Sequence, residues 1–137
     1  MNTAATGQTS CRRRILTIDD VPVFTRLIQL TLESTGAYEV ATVNDSRKAL
    51  NTARGFKPDL ILLDIVMPLV NGNEVAALLE ADPITEDIPI IFLSGYCPEG
   101  ADNGKLFHFK GKRYLAKPVL RENLLETING IFHEATA

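Results

Sequence analysis

Two kinds of apolar run alternate along this chain: short blocks that are apolar at most positions, and longer stretches with apolar residues at helical spacing. Arg14 to Ile18 (RILTI) is a short β-rich block that ends at Asp19-Asp20. Pro22 follows, where helices tend to begin, and Phe24, Leu27 and Ile28 recur at helical spacing until Gly36. Tyr38 to Val43 predicts a second strand. Asn44-Asp45-Ser46 then caps a helix carrying Ala49, Leu50 and Ala53, which Gly55 ends. Leu60 to Leu63 (LILL) is apolar throughout, as expected of a strand buried on both faces, and it ends at Asp64. Asn71-Gly72 opens a third helix with Val75, Leu78 and Leu79 on one face. Ile88 to Leu93 predicts a strand ending at Ser94, and Arg113 to Ala116 another ending at Lys117-Pro118. Leu120, Leu124, Ile128 and Ile131 line a closing helix.

Strands alternating with helices predict an α/β fold, a parallel sheet covered on both faces. Periodicity does not supply the strand order. The 137 residues suit one domain, and 45% hydrophobic content is enough to bury a core without disulfides. We divide the chain into a flexible tail over residues 1–12 and one domain over 13–134, with no output domain. The formal net charge of -3 argues against nucleic-acid binding. No apolar run approaches the length of a membrane span. Cys11 and Cys97 form no CxxC pair and no secretory leader precedes them, which points to reduced thiols and a cytoplasmic location.

The polar residues that remain share one place. Asp19 and Asp20, Asp64, Ser94 and Lys117 each follow the C-terminal end of an expected strand. In an open parallel sheet those ends form one edge, where ligands bind. Three carboxylates gathered there repel one another and call for a cation, and all-oxygen ligation suits Mg²⁺. A carboxylate beside such a cation can attack phosphorus and form an aspartyl phosphate. That transfer needs positioning and positive charge more than covalent help; the metal and Lys117 supply charge, and Ser94 a hydrogen bond. Each residue alone has an ordinary reading as a cap, a turn or a solvated lysine. Their convergence on one edge carries the functional reading.

The motifs RILTIDD, LILLDIVMP with Gly72 beyond it, IIFLSG and YLAKP resemble those of response-regulator receiver domains over about Arg13 to Phe132. The resemblance implies a flavodoxin-like, five-stranded parallel sheet of order 2-1-3-4-5, and a cis Lys117-Pro118 bond. It implies that Asp64 is the phosphoacceptor, and that Asp20, Asp64 and the backbone carbonyl of Val66 hold Mg²⁺, with Asp19 acting through water. Ser94 and Tyr114 match the family's switch pair, with the aromatic swinging inward on activation. Lys117 matches the lysine that contacts the phosphoryl group.

The implied partners are a histidine kinase or histidine phosphotransfer protein as phosphodonor and a separate downstream protein, with no nucleic acid and no membrane; a homodimer is left open. Such a domain catalyses its own phosphoryl transfer and loss, without turnover of a separate substrate. Two other classes compete: a phosphorylation-independent interaction module, and a small-molecule phosphatase with an aspartate nucleophile. The second commonly needs an acid two places after the nucleophile, where this chain has Val66. His108 and His133 have no partner pattern and are expected at the surface.

Two departures from the family pattern stand out. Val119 replaces the Phe that often follows Lys-Pro. The segment GYCPEGADNGKLFHFKGKR, where the family places its fourth helix, carries glycines at 95, 100, 104 and 111. Each costs a helix about 1 kcal/mol relative to alanine, so the expected helix is short or irregular. Leu106, Phe107 and Phe109 then either present apolar surface to a partner or cover the sheet edge.

Overall fold

The computed structural model describes residues 12–96 and 105–136. The expected tail, apart from its last residue, and the stretch 97–104 lie outside the described residues. Eleven elements follow in order: β1 (Arg13–Ile18), α1 (Pro22–Glu33), β2 (Tyr38–Val43), a 3-10 turn (Ser46–Lys48), α2 (Ala49–Phe56), β3 (Leu60–Asp64), α3 (Gly72–Ala81), β4 (Ile90–Ser94), β5 (Leu106–Phe109), β6 (Lys112–Ala116) and α4 (Arg121–Thr136).

The sheet runs β2-β1-β3-β4-β6-β5. Its first five members in that order are parallel, with β1 between β2 and β3, and β4 between β3 and β6. This is the expected 2-1-3-4-5 order carried by β2, β1, β3, β4 and β6. The strand count is corrected from five to six, because β5 pairs antiparallel with β6 at the edge. A short or irregular helix was expected between Ser94 and Tyr114; residues 97–104 of that segment lie outside the described residues, and residues 106–109 form a strand. The cause is a two-residue turn, Lys110-Gly111, with both residues at positive φ (51° and 78°). Such a turn matches the twist of two antiparallel strands and closes a tight hairpin.

Two apolar layers cover the sheet. On one face Ile15, Leu60, Leu62, Ile91 and Leu93 pack with Ile28 and Leu32 of α1 and Leu124 and Ile128 of α4. On the other, Leu16, Ile18, Ile61, Leu63 and Phe92 pack with Ala49 and Ala53 of α2 and Val75 and Leu79 of α3. Each large side chain so removed from water stabilises the fold by about 1.5–3 kcal/mol. Every residue of β3 is buried, as its uniform apolar run requires.

Local signals account for most boundaries. Asn71 and Glu74 form a reciprocal capping box at the start of α3. Asp45 accepts the Arg47 N–H and caps the 3-10 turn that leads into α2. That helix runs past Gly55 to Phe56, because Lys57 takes the left-handed position that ends it. Leu27 and Leu78, expected on the inner helix faces, are exposed, because the buried stripe on each helix is narrower than its apolar set; Leu120, expected in the closing helix, is exposed and precedes α4. Among the described residues, no helix is long and apolar enough to cross a membrane.

Candidate functional site

The C-terminal ends of β1, β3, β4 and β6 converge, and the chemistry collects there. Asp19 is fully buried and both of its carboxylate oxygens are engaged. Oδ1 accepts the Val21 N–H at 2.9 Å, which turns the chain into α1. Oδ2 accepts from Lys117 Nζ at 3.1 Å. The same ammonium stands 3.1 Å from Asp64 Oδ1, so Lys117 bridges two strands' carboxylates. Asp20 completes a group in which one carboxylate oxygen from each of Asp19, Asp20 and Asp64 lies within 4.8 Å of the others.

The electrostatics follow from that crowding. Burial pushes the Asp64 carboxyl above the ordinary range, and the neighbouring charges of Asp19 and Asp20 push the same way, against the Lys117 hydrogen bond. Burial works against the Lys117 charge, but its bonds to Asp64 and Asp19 outweigh it and hold the ammonium above its usual value. Three acids against one lysine leave excess negative charge. Hard oxygen donors, largely buried and in surplus over the local cation, fit Mg²⁺.

The supporting backbone explains how these groups are held. The Gly72 N–H donates to the Ile65 carbonyl at 2.8 Å and folds the loop after Asp64 back on itself. Ser46 Oγ donates to the Pro68 carbonyl and accepts the Val70 N–H, each at 3.2 Å. Asn44 Nδ2 donates to the Asp19 carbonyl at 2.8 Å and to Thr25 Oγ1 at 2.9 Å, pinning the β1–α1 corner. The Lys117 N–H donates to the Ser94 carbonyl at 2.7 Å, and the Lys117-Pro118 bond is cis. The Lys117 ammonium also lies 4.6 Å above the Phe24 ring. Sequence reasoning missed Asn44, Ser46 and Phe24 as supports; their partners lie far along the chain and share no spacing with them.

Ser94 is half-buried at the end of β4, its Oγ accepting the Tyr96 N–H at 3.0 Å. Val66 and Tyr96, two residues beyond Asp64 and Ser94, are 80% and 69% exposed. Tyr114 shares a cleft with Ser94 and Ile65, and its ring stacks between Phe92 and Phe107, 5.3 Å from each. His108 and His133 are exposed, as expected.

With this geometry in hand, comparison with known proteins is direct. The family model described as response regulator receiver domain matches residues 15–129. Protein PilH of Pseudomonas aeruginosa is 36% identical over 123 residues, covering 86% of this chain and 96% of PilH. The chemotaxis protein CheY4 of Vibrio cholerae superposes with a TM-score of 0.72 at 27% identity, over 86% of this chain and 97% of CheY4. The receiver domain of the sensor histidine kinase PA1611 from Pseudomonas aeruginosa, solved with a magnesium ion in its active-site cleft, gives 0.69 at 28% identity over 85% and 93%. The chain spans only 49% of another relative, the DNA-binding response regulator MtrA of Mycolicibacterium smegmatis.

Proposed function

The chain belongs to the response regulator receiver domain family, and from that premise we propose that it is a phosphoacceptor switch modified on Asp64. Receiver domains are signalling proteins of two-component systems rather than enzymes that turn over a separate substrate. The observation that carries the assignment is the Lys117 ammonium, 3.1 Å from both Asp19 and Asp64 at the mouth of a three-carboxylate group. An Asp64 oxygen attacks phosphorus while the bond from phosphorus to the donor's histidine nitrogen breaks, and the imidazole leaves with the electron pair. Asp20, Asp64 and the Val66 carbonyl would hold Mg²⁺, with Asp19 acting through water. Bound there, Mg²⁺ neutralises the carboxylates and the charge on the transferring phosphoryl oxygens. Lys117 supplies the second positive charge, and Ser94 a hydroxyl donor at the opposite lip.

A histidine kinase or phosphotransfer protein fits as donor because of what surrounds the site. Helix α1 begins two residues beyond Asp20 and exposes Val23, Leu27 and Leu30 on one face, at 78%, 58% and 52%. An apolar helix face beside the acceptor suits a helical partner that presents its histidine from a bundle. We place the exchange in the cytoplasm and assign output to a separate downstream protein.

The test is incubation with acetyl phosphate and Mg²⁺, read by phosphate-affinity electrophoresis. Wild type acquires one shifted band that chelation prevents. Asp64→Asn acquires none. A band that persists in Asp64→Asn, or that ignores EDTA, ends the assignment.

A further inference from the structure

Tyr114 belongs to an aromatic ladder that crosses three strands on one face of the sheet. It is the register partner of Phe92 on β4 and of Phe107 on β5. Its ring lies 27° from the plane of Phe92 and 11° from that of Phe107, with both centroids at 5.3 Å. Phe109, two residues along β5 and so on the same face, meets Tyr114 edge-on at 6.3 Å. The two stacking partners differ in freedom. Phe92 is fully buried in a strand paired on both sides, whereas Phe107 is half-buried on a four-residue strand that, among the described residues, pairs only with β6.

A cleft of about 280 Å³ adjoins the ladder, lined by Ile65, Ser94, Tyr96, Phe107, Phe109 and Tyr114. It therefore connects the hydroxyl at the end of β4 with the rings of β5 and β6. Ser94 Oγ now accepts the Tyr96 N–H at its rim.

We propose that Phe107 is the latch of this switch: its stack holds Tyr114 in the resting position and makes the β5–β6 hairpin the element that moves when Asp64 is phosphorylated. The proposal rests on the reading of Asp64 as phosphoacceptor and of Ser94 and Tyr114 as its switch pair. Once Ser94 Oγ turns to a phosphoryl oxygen, it releases the Tyr96 N–H, and the cleft gives the Tyr114 ring a place to go. The ring cannot enter the cleft and remain parallel to Phe107. The ladder then breaks on its weaker side, since Phe92 is fixed by the core. β5 either follows Tyr114 or loosens from β6, and a short edge strand has little else to resist the change.

The experiment is hydrogen–deuterium exchange of residues 105–110 in the full chain, with and without acetyl phosphate and Mg²⁺, alongside electrophoretic measurement of Asp64 occupancy. Phosphorylated wild type is expected to exchange β5 amides about ten-fold faster or slower than the unmodified protein. Phe107→Leu keeps an apolar side chain but removes the ring stack; the β5 response falls to less than about three-fold while Asp64 still labels. Phe107→Tyr restores the stack and with it the response. Labelled wild type with unchanged β5 exchange overturns this inference and leaves the functional reading standing. Failure of Asp64 to label overturns both. A full response in folded Phe107→Leu also removes Phe107 from the mechanism; if that variant does not fold, the wild-type comparison and Phe107→Tyr still decide.

Discussion

Gly72 packs against the backbone of Asp64 so closely that a Cβ at position 72 would fall on the Asp64 carbonyl oxygen and 2.7 Å from the Ile65 Cα. Both obstacles are backbone, one in the last residue of β3 and the other in the residue that follows it, so neither can rotate aside. This is why a glycine stands where α3 begins: the helix start must touch the loop it supports. Gly72→Ala is expected to push residues 65–71 away from the helix and cost about 1–3 kcal/mol, by analogy with overpacking. Because the displaced loop includes Val66, the rate of Mg²⁺-dependent labelling by acetyl phosphate falls with the melting temperature. A variant with both quantities unchanged contradicts the packing argument.

Lys117→Ala tests the ammonium bridge. With the lysine gone, Asp19 and Asp64 face each other without a counter-charge in a largely buried site, costing about 2 kcal/mol in metal-free buffer. Added Mg²⁺ should therefore raise the melting temperature of Lys117→Ala more than that of wild type. Metal binding itself survives, since Lys117 supplies none of the proposed ligands. Equal Mg²⁺-dependent shifts in the two proteins count against the bridge as a stabilising contact.

The parts of this molecule visible in the sequence are those set by local periodicity. β1, β2, β3, β4 and β6 and all four helices follow from runs such as Leu60–Leu63 and from stops such as Gly36, and the site's position follows from where those strands end. Leu106–Phe109 was hidden because its glycine-rich approach argues only against helix. The informative signal was Lys110-Gly111, two residues between a short alternating run and β6, a hairpin spacing. Its apolar side chains divide the two roles considered for them: Leu106 packs on the core and Phe107 covers Tyr114, while Phe109 remains 54% exposed. Asn44 and Ser46 were invisible for a different reason. Their hydrogen bonds to Asp19 and Pro68 exist only once the sheet has assembled.

Thr17 offers a test of core energetics apart from the site's chemistry. It is fully buried in β1, and its Oγ1 has no hydrogen-bond partner among the described residues. Its strand neighbours are Thr42 and Leu62. A buried hydroxyl without a partner destabilises by about 1–3 kcal/mol, and valine has nearly the same shape. Thr17→Val is therefore expected to stabilise the domain by about 1 kcal/mol, seen as a higher urea midpoint at unchanged slope. A lower midpoint means that the hydroxyl has a partner, such as a bound water, that the valine loses.

The lifetime of the aspartyl phosphate should be set at the rim. Hydrolysis needs a water in line with the bond to be broken, opposite the Asp64 oxygen, and that approach passes Val66 and Tyr96. Both are solvent-facing, and each stands two residues beyond a residue of the site, Val66 after Asp64 and Tyr96 after Ser94. Neither side chain offers a carboxylate or amide to orient the water, and the Tyr96 ring is large enough to obstruct it. We therefore expect a comparatively long-lived phosphoryl group. Val66→Asn combined with Tyr96→Glu supplies two orienting groups and removes the ring, while leaving the Val66 backbone carbonyl and every carboxylate in place. Orientation of a reactant is worth large factors in rate, and an acceleration of about ten-fold in phosphate loss is expected for a partly ordered water. The measurement is the decay of the shifted electrophoretic band after removal of acetyl phosphate, with Mg²⁺ held constant. A double variant that loses phosphate no faster than wild type shows that the rim does not control hydrolysis, and that the barrier lies in the charges around Asp64 itself.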